Sequence, residues 1–341
     1  MTHLWMTLGP SSLGKEAALL TMGATGVRLT FSYGTPELQL DRARMLRKAA
    51  EEAKRPCLNV ADLAGEKFRL GEFAGPPSVP VAPGTRLRLS HAERLDPAHD
   101  KALPIPDLAF FEQLTLGDII TVGDGGAQLR VVDDSEGAVL VEVPAKGVID
   151  QARGLTVRGH AFKPRAITAK DRSDLRFVSR YEEFDAVALS FVSSAQDVVE
   201  ARELLNGRDI TVIAKIETAL GVANIREICA VADMVMAARG DLALSIPWVD
   251  LPEAVEQIAT GAEAAGIPWI LATQVAEGLE RFSIPTRAEI CDLAHWLGRG
   301  CAGVLLSYET VFGGNASGAV TSIDAIIRRW SKPRLSSMTI G

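Results

Sequence analysis

Cysteine is scarce in this chain of 341 residues: Cys57, Cys229, Cys291 and Cys301 stand far apart, with no C-x-x-C pair. A disulfide framework and a zinc ribbon are excluded, and the thiols read as reduced side chains of a cytoplasmic protein. The sequon Asn315-Ala316-Ser317 is then a chance match. Histidine is nearly as sparse, at five, and His3, His91, His99 and His295 are scattered residues that give no site of their own. No apolar run approaches the ~18–20 residues needed to cross a bilayer. Met1 to Gly9 lacks the basic flank and long apolar stretch of a signal peptide. Basic charge is also short: Lys plus Arg number 36 against 43 Asp plus Glu, a net charge of −7. Such a chain has no general electrostatic attraction for nucleic acid or an anionic membrane, and only a local basic pocket stays open. Aromatics make up only 6%, and the five tryptophans read as core or subunit contacts rather than base-stacking platforms. No Ser-x-Gly run forms a hydrolase elbow.

What is present is a globular composition, 47% hydrophobic, with short β-rich runs separated by helical patterns. The runs are Leu4–Leu8, Val27–Phe31, Cys57–Ala61, Ala186–Val192, Thr211–Ile216, Met234–Ala238, Trp269–Ala272 and Gly303–Leu306. They are apolar on both faces, as parallel strands buried in a sheet must be. Eight such runs alternating with helices predict an α/β fold of the closed (β/α)8 TIM-barrel type. Ser193 or Ser194 can cap a helix that stops at Gly207, and Pro285 fits the first turn of another. One interval breaks the rhythm. From Glu72 to about Gly159 there is no helical period, only prolines and short alternating stretches with turns at Gly123-Asp124-Gly125-Gly126 and Ser135-Glu136-Gly137. The reading is a small all-β domain, residues 72–159, inserted after the third strand of a barrel formed by residues 1–71 and 160–341. Without it roughly 253 residues remain, close to the ~250 of a single barrel.

Polar residues at strand ends then fall on the face where such barrels do chemistry: Arg28, Asp62, Lys215, Glu217, Asp241 and Thr273. Strand alternation points Lys215 and Glu217 to one side, and the next run ends in Arg239-Gly240-Asp241. Two carboxylates on adjacent strand ends suit Mg²⁺, which keeps water or substrate oxygens in its other positions. Lys215 beside them supplies positive charge where a phosphoryl group or an enolate would develop. A structural ion-pair network beneath the loops is the competing explanation.

Seven collinear segments resemble the pyruvate kinase family: Met6-Thr7-Leu8-Gly9-Pro10-Ser11-Ser12, Val27 to Thr35, Ala214-Lys215-Ile216-Glu217, Ala238-Arg239-Gly240-Asp241-Leu242, Ala272-Thr273-Gln274, Pro285 to Glu289, and Leu306-Ser307-Tyr308-Glu309-Thr310. The resemblance runs over nearly the whole chain and makes the inserted domain that family's lid. It implies phosphoryl transfer from phosphoenolpyruvate to ADP, giving pyruvate and ATP, with Mg²⁺ or Mn²⁺. By the same resemblance Lys215 stabilises the moving phosphoryl group and the enolate, and Glu217 and Asp241 hold the metal. Arg28 and Arg69 neutralise phosphate, and Thr273 stands near the carbon that gains a proton. Gly240, Asp241, Ser190 and Phe191 contact substrate, while Thr7, Pro10, Tyr33, Arg153 and Asp124 lie toward the nucleotide. Small-molecule substrates, no nucleic acid, no membrane and a homodimer are the partners expected.

The departures from the family pattern carry expectations of their own. Family members that use K⁺ have Asn and Thr where this chain has Thr30 and Leu63, whereas Ser32 and Asp62 remain. Lys67 replaces a glutamate, so its ammonium is expected to supply the missing monovalent charge and make K⁺ unnecessary. Tyr33 replaces a histidine, Arg158 and His160 change the lid's return hinge, and Ala243 and Ser245 alter the run after Asp241. The sequence also ends near where the family's C-terminal regulatory domain would begin, so no C-terminal domain and no sugar-phosphate regulation are expected. Two other readings stay open. Ile216 to Ile225 is also similar to the metal-site segment of 2-oxo-acid aldolases and lyases, which stabilise a pyruvate-type enolate without a nucleotide; a decarboxylase of that kind belongs with them. The other is a binding protein with a dead site.

Overall fold

This computed structural model describes residues 2–134, 139–158 and 162–331. The expected turn at Ser135-Glu136-Gly137, Gly159 at the end of the insertion, the hinge residue His160, and residues 332–341 lie outside the described residues. Eight parallel strands close a barrel in chain order: β1 (His3–Thr7), β2 (Gly26–Thr30), β3 (Leu58–Asp62), β4 (Ala186–Leu189), β5 (Thr211–Ile216), β6 (Met234–Ala238), β7 (Trp269–Ala272) and β8 (Gly303–Leu306). Closure is made by β8 against β1, with Met6 opposite Leu306. Outward residues such as Val27, Leu29, Val212, Val235 and Leu271 pack beneath the helices. Inward residues Trp5, Val60, Ala188, Ile213, Met236 and Leu305 fill the barrel itself. Both faces are therefore apolar, which is why these strands lack a polar alternation. Stepping two residues along each strand reaches the layer above: Thr7, Asp62, Ser190, Lys215, Ala238 and Ser307. The barrel plug is thus greasy at its base and polar at its C-terminal mouth.

Two local expectations need correction. The fourth strand stops at Leu189 rather than Val192, because Phe191 turns to a φ of 55° and breaks the extended run. Pro285 is not in a helix. Thr286 caps that helix, which spans Arg287–Gly298: its hydroxyl accepts from the Glu289 N–H (3.3 Å) and the Glu289 carboxylate accepts from the Thr286 N–H (2.7 Å). Ser194 and Asp197 form the same reciprocal cap on the helix Ala195–Leu204.

The insertion between β3 and β4 has its own core, including Leu87, Leu103, Ile120, Leu129, Val141 and Val157. Its main sheet runs in the order Leu155–Arg158, Ile119–Val122, Ala127–Asp133, Val139–Glu142, Arg86–His91 and Ala102–Ile105. A separate ladder pairs Ser78–Val81 with Gly147–Asp150. The insertion is not purely β. One-turn helices at Pro97–Asp100 and Leu108–Phe111 are capped by Asp96 and Asp107, and one turn is too short to leave a sequence period. Its two connections are laced together where they leave the barrel: Leu70 N–H donates to Arg153 O and Leu155 N–H to Phe68 O, each at 2.9 Å. Phe68, Leu70 and Phe162 pack into the inserted domain's core. No helix among the described residues is long and apolar enough to cross a membrane.

Candidate active site

A cleft of about 270 Å³ opens at the C-terminal mouth of the barrel, beneath the inserted domain. A larger hollow of about 610 Å³ lies elsewhere, against Leu4, Leu20, Ala24 and Ile327, but its walls are mostly apolar. The mouth cleft gathers the charges. Lys215 is 6% exposed, and its ammonium donates to Ser190 Oγ at 2.7 Å. It also pairs with Asp62 Oδ1 at 3.0 Å and Glu217 Oε1 at 3.4 Å. Burial by itself would lower the Lys215 pKa; the carboxylates of Asp62 and Glu217 outweigh it and raise the value above ordinary lysine. Glu217 accepts the Phe191 N–H at 2.8 Å, which is what the turn at Phe191 achieves. Burial raises the Glu217 pKa, Lys215 opposes it, and the nearby charge of Asp241 raises it further.

Loops around this cluster are held by close backbone contact. Gly65, at φ 62°, lets the β3 loop pass where a Cβ would stand 2.8 Å from Phe191 and 2.9 Å from Ser190. Buried Asp171 accepts from the Ala64 and Gly65 N–H groups (3.1 and 3.3 Å). Ser190 Oγ donates to Leu63 O at 2.7 Å. After β7, Thr273 and Gln274 both adopt left-handed backbone, at φ 71° and 53°. Such strain costs roughly 1–3 kcal/mol per residue and persists only where neighbours enforce it.

Arg28 reaches across the mouth, donating to Thr7 Oγ1 (2.9 Å) and Ser307 Oγ (3.2 Å), with Asp62 Oδ2 at 3.7 Å. Arg69 donates to Ala152 O at 3.3 Å and also lines the cleft. The cleft is further lined by Ser32, Tyr33, Leu63, Asp124, Ser190, Phe191, Gly240, Asp241 and Thr273. Tyr33 is 67% exposed at its rim. Thr30 ends β2 in register with Asp62 without lining the cleft.

Three residues expected toward a nucleotide stand apart from the cleft walls. Thr7 is buried behind Arg28, donating to Leu306 O at 2.9 Å; Pro10 is exposed; Arg153 is exposed beside Asp150 at 3.6 Å. Arg158 and Ser245 face a different hollow, of about 500 Å³. Lys67 lines the cleft as well. Its ammonium donates to both oxygens of Asp241, each at 3.0 Å, while Asp62 is met by Lys215 and Arg28.

Among the described residues no three His, Cys, Asp or Glu side chains could enclose a metal alone. The donor set nevertheless fits a hard divalent cation that keeps other oxygens: the charge of Asp241 bears on buried Glu217, and both carboxylates line the same cleft. Arg239 and Ser307 lie within the family-like segments, and Asp171 lies outside them. Only Arg239, adjoining Gly240-Asp241, carried a signal that could have found it.

The family model described as "Pyruvate kinase, barrel domain" matches residues 1–320. The chain is 34% identical over 335 residues to a pyruvate kinase of Geobacillus stearothermophilus, covering 96% of this chain and 56% of that protein. It is 33% identical over 336 residues to one from Chlamydia trachomatis serovar D, covering 97% and 68%. A pyruvate kinase of Naumovozyma castellii is 33% identical over 329 residues, with 94% and 66% covered. The chain thus spans little more than half to two thirds of these curated relatives. The match takes in both the barrel and the inserted domain, and by it this chain belongs to the pyruvate kinase family.

Proposed function

We propose that the protein transfers the phosphoryl group of phosphoenolpyruvate to ADP, forming pyruvate and ATP in the cytoplasm. The observation that carries this reading is the buried ammonium of Lys215 between Asp62 and Glu217, with Asp241 close by, at the mouth of the barrel. Glu217 and Asp241 are the residues that would hold Mg²⁺ or Mn²⁺, which would supply Lewis-acid charge to the substrate. The chain's own groups do the rest. Lys215, Arg28 and Arg69 offset charge on the phosphoryl group as the bridging P–O bond breaks and its electron pair stays on the enol oxygen. The Gly240 and Asp241 backbone, with Ser190 and Phe191, orients the substrate. Thr273 overlooks the carbon that takes a proton to become the methyl group of pyruvate. Tyr33 and Asp124 form the rim on the nucleotide side, with Pro10 and Arg153 exposed and Thr7 held behind Arg28. Closure of the inserted domain would exclude water, the competing phosphoryl acceptor.

Lys67 makes the reaction independent of K⁺ in this reading, because its ammonium already brings a monovalent charge into the cleft. A coupled assay with phosphoenolpyruvate, ADP and Mg²⁺ tests it: turnover without K⁺ is expected, and strict dependence on K⁺ would remove that role from Lys67. One observation favours a second reading, a 2-oxo-acid lyase or decarboxylase: Thr7, Pro10 and Arg153 do not line the cleft. Such an enzyme needs neither Lys215 nor ADP, so cleavage of 4-hydroxy-2-oxo acids surviving in Lys215→Ala would establish it. A homodimer is the assembly expected, since barrels of this kind pair through their outer helices.

A further inference from the structure

We propose that Arg239 and Asp292 form a positioning clamp that holds Thr273 in its strained conformation over the cleft. Arg239 begins the helix Arg239–Ser245 directly after β6, and its side chain turns toward the loop after β7. Its guanidinium donates to Thr273 O from Nε (3.2 Å) and Nη2 (2.9 Å), and to Gln274 O from Nη2 (2.8 Å). These are the carbonyls of the two left-handed residues. A β-branched residue at positive φ is an outlier that needs outside enforcement. The remaining arm, Nη1, donates to Asp292 Oδ2 at 2.7 Å. Asp292 is itself fixed, because its Oδ1 accepts the Trp296 indole N–H at 2.8 Å. From the far side of the loop, buried Glu309 accepts the Ala276 N–H at 2.9 Å.

The clamp has a target in the cleft. A Cβ on Gly240 would stand 3.1 Å from Thr273 Cγ2 and 3.4 Å from its hydroxyl, so the bare glycine lets Thr273 settle against the Asp241 turn. Among the described residues the Thr273 hydroxyl has no hydrogen-bond partner, leaving it available to the substrate side. Arg239 does not line the cleft and bonds to neither Glu217 nor Asp241; it acts through the backbone of Thr273. The inference rests on the proposed activity, and it concerns the step in which the enolpyruvate carbon takes a proton. That proton comes from water by way of the Thr273 hydroxyl, which regains one from the next water, and the carbon–carbon double bond supplies the electron pair. The fork geometry of arginine is what a lysine cannot copy.

The test is a double-mutant cycle with two readouts: turnover of phosphoenolpyruvate with ADP and Mg²⁺, and deuterium exchange into the pyruvate methyl group with ATP and Mg²⁺. In Arg239→Lys both rates should fall about 10- to 100-fold with less than a threefold change in the KM for phosphoenolpyruvate. In a Thr273→Val background the same substitution should cost no more than about twofold, because the hydroxyl it positions is gone. Asp292→Asn, which keeps the shape and weakens the anchor, should shift both rates in the same direction by a smaller factor. Circular dichroism and thermal unfolding of each variant separate misfolding from mispositioning, and Asp292→Asn supplies the result if Arg239→Lys does not fold. Equal losses in the wild-type and Thr273→Val backgrounds, or a rise in KM at unchanged kcat, would overturn the clamp while leaving the activity standing. A wild-type protein with neither turnover nor exchange would overturn the proposed activity and the clamp with it.

Discussion

Replacing Lys67 by glutamine should tighten, not weaken, binding of a divalent cation to the substrate-free protein. Lys67 donates to both Asp241 oxygens at 3.0 Å, and those oxygens belong to the residue expected to hold the metal. A cation arriving there must displace the ammonium. The lysine side chain is 38% exposed, so solvent screens the pair and its worth is near that of a surface ion pair. Two charge-assisted bonds from one donor place it toward the upper end of that class, roughly 0.5–1.4 kcal/mol. At about 1.4 kcal/mol per tenfold, Lys67→Gln should bind Mn²⁺ about two- to tenfold more tightly. Titration calorimetry without substrate measures this. Arg69→Gln removes the same unit of charge from the same cleft but no bond to Asp241, and should change affinity less than twofold. Equal or weaker Mn²⁺ binding in Lys67→Gln, or an equal gain in Arg69→Gln, would refute the argument from displacement.

Two further outcomes follow from burial and backbone geometry. Iodoacetamide at pH 8 should label one of the described thiols in the native protein, exposed Cys291. Burial pushes Cys57 up to about 12 and Cys229 up to about 11, leaving almost no thiolate, and Cys301 is buried. Four labels after denaturation confirm the count by mass spectrometry, and rapid native labelling of a second cysteine would contradict it. Gly65→Ala forces a Cβ into 2.8 Å contact with the Phe191 ring at a φ of 62°, and should cost roughly 1–3 kcal/mol. Thermal unfolding reads that loss, and an unchanged midpoint would show that the loop yields freely.

The barrel was legible because its strands are buried on both faces, so each appears as an apolar run whatever its neighbours. What escaped was set by contacts between distant segments. Nothing local in Leu189-Ser190-Phe191-Val192 says that the strand must stop; Gly65 and Glu217 turn Phe191 from elsewhere in the fold. The pattern likewise gave Lys67 a charge to supply but not a partner, and that partner, Asp241, lies far along the chain. Lys215 and Glu217 were accessible to reasoning because a single strand aligns them by alternation. The pairing of Arg239 with Asp292 was not, since it joins the end of β6 to a helix some fifty residues further along the chain. One-turn helices in the insertion left no trace at all, being shorter than any period that could reveal them.

The role of the buried cluster is tested by the rate of pyruvate formation from phosphoenolpyruvate and ADP in Mg²⁺, compared between the wild type, Lys215→Met and Glu217→Gln. Removing one member of the buried cluster strands its partner's charge and takes away a group facing the phosphoryl transfer. Measurable wild-type turnover, falling at least about 1,000-fold in each variant, is the predicted result. Variants that retain wild-type rates, or a wild type that forms no pyruvate, would contradict it.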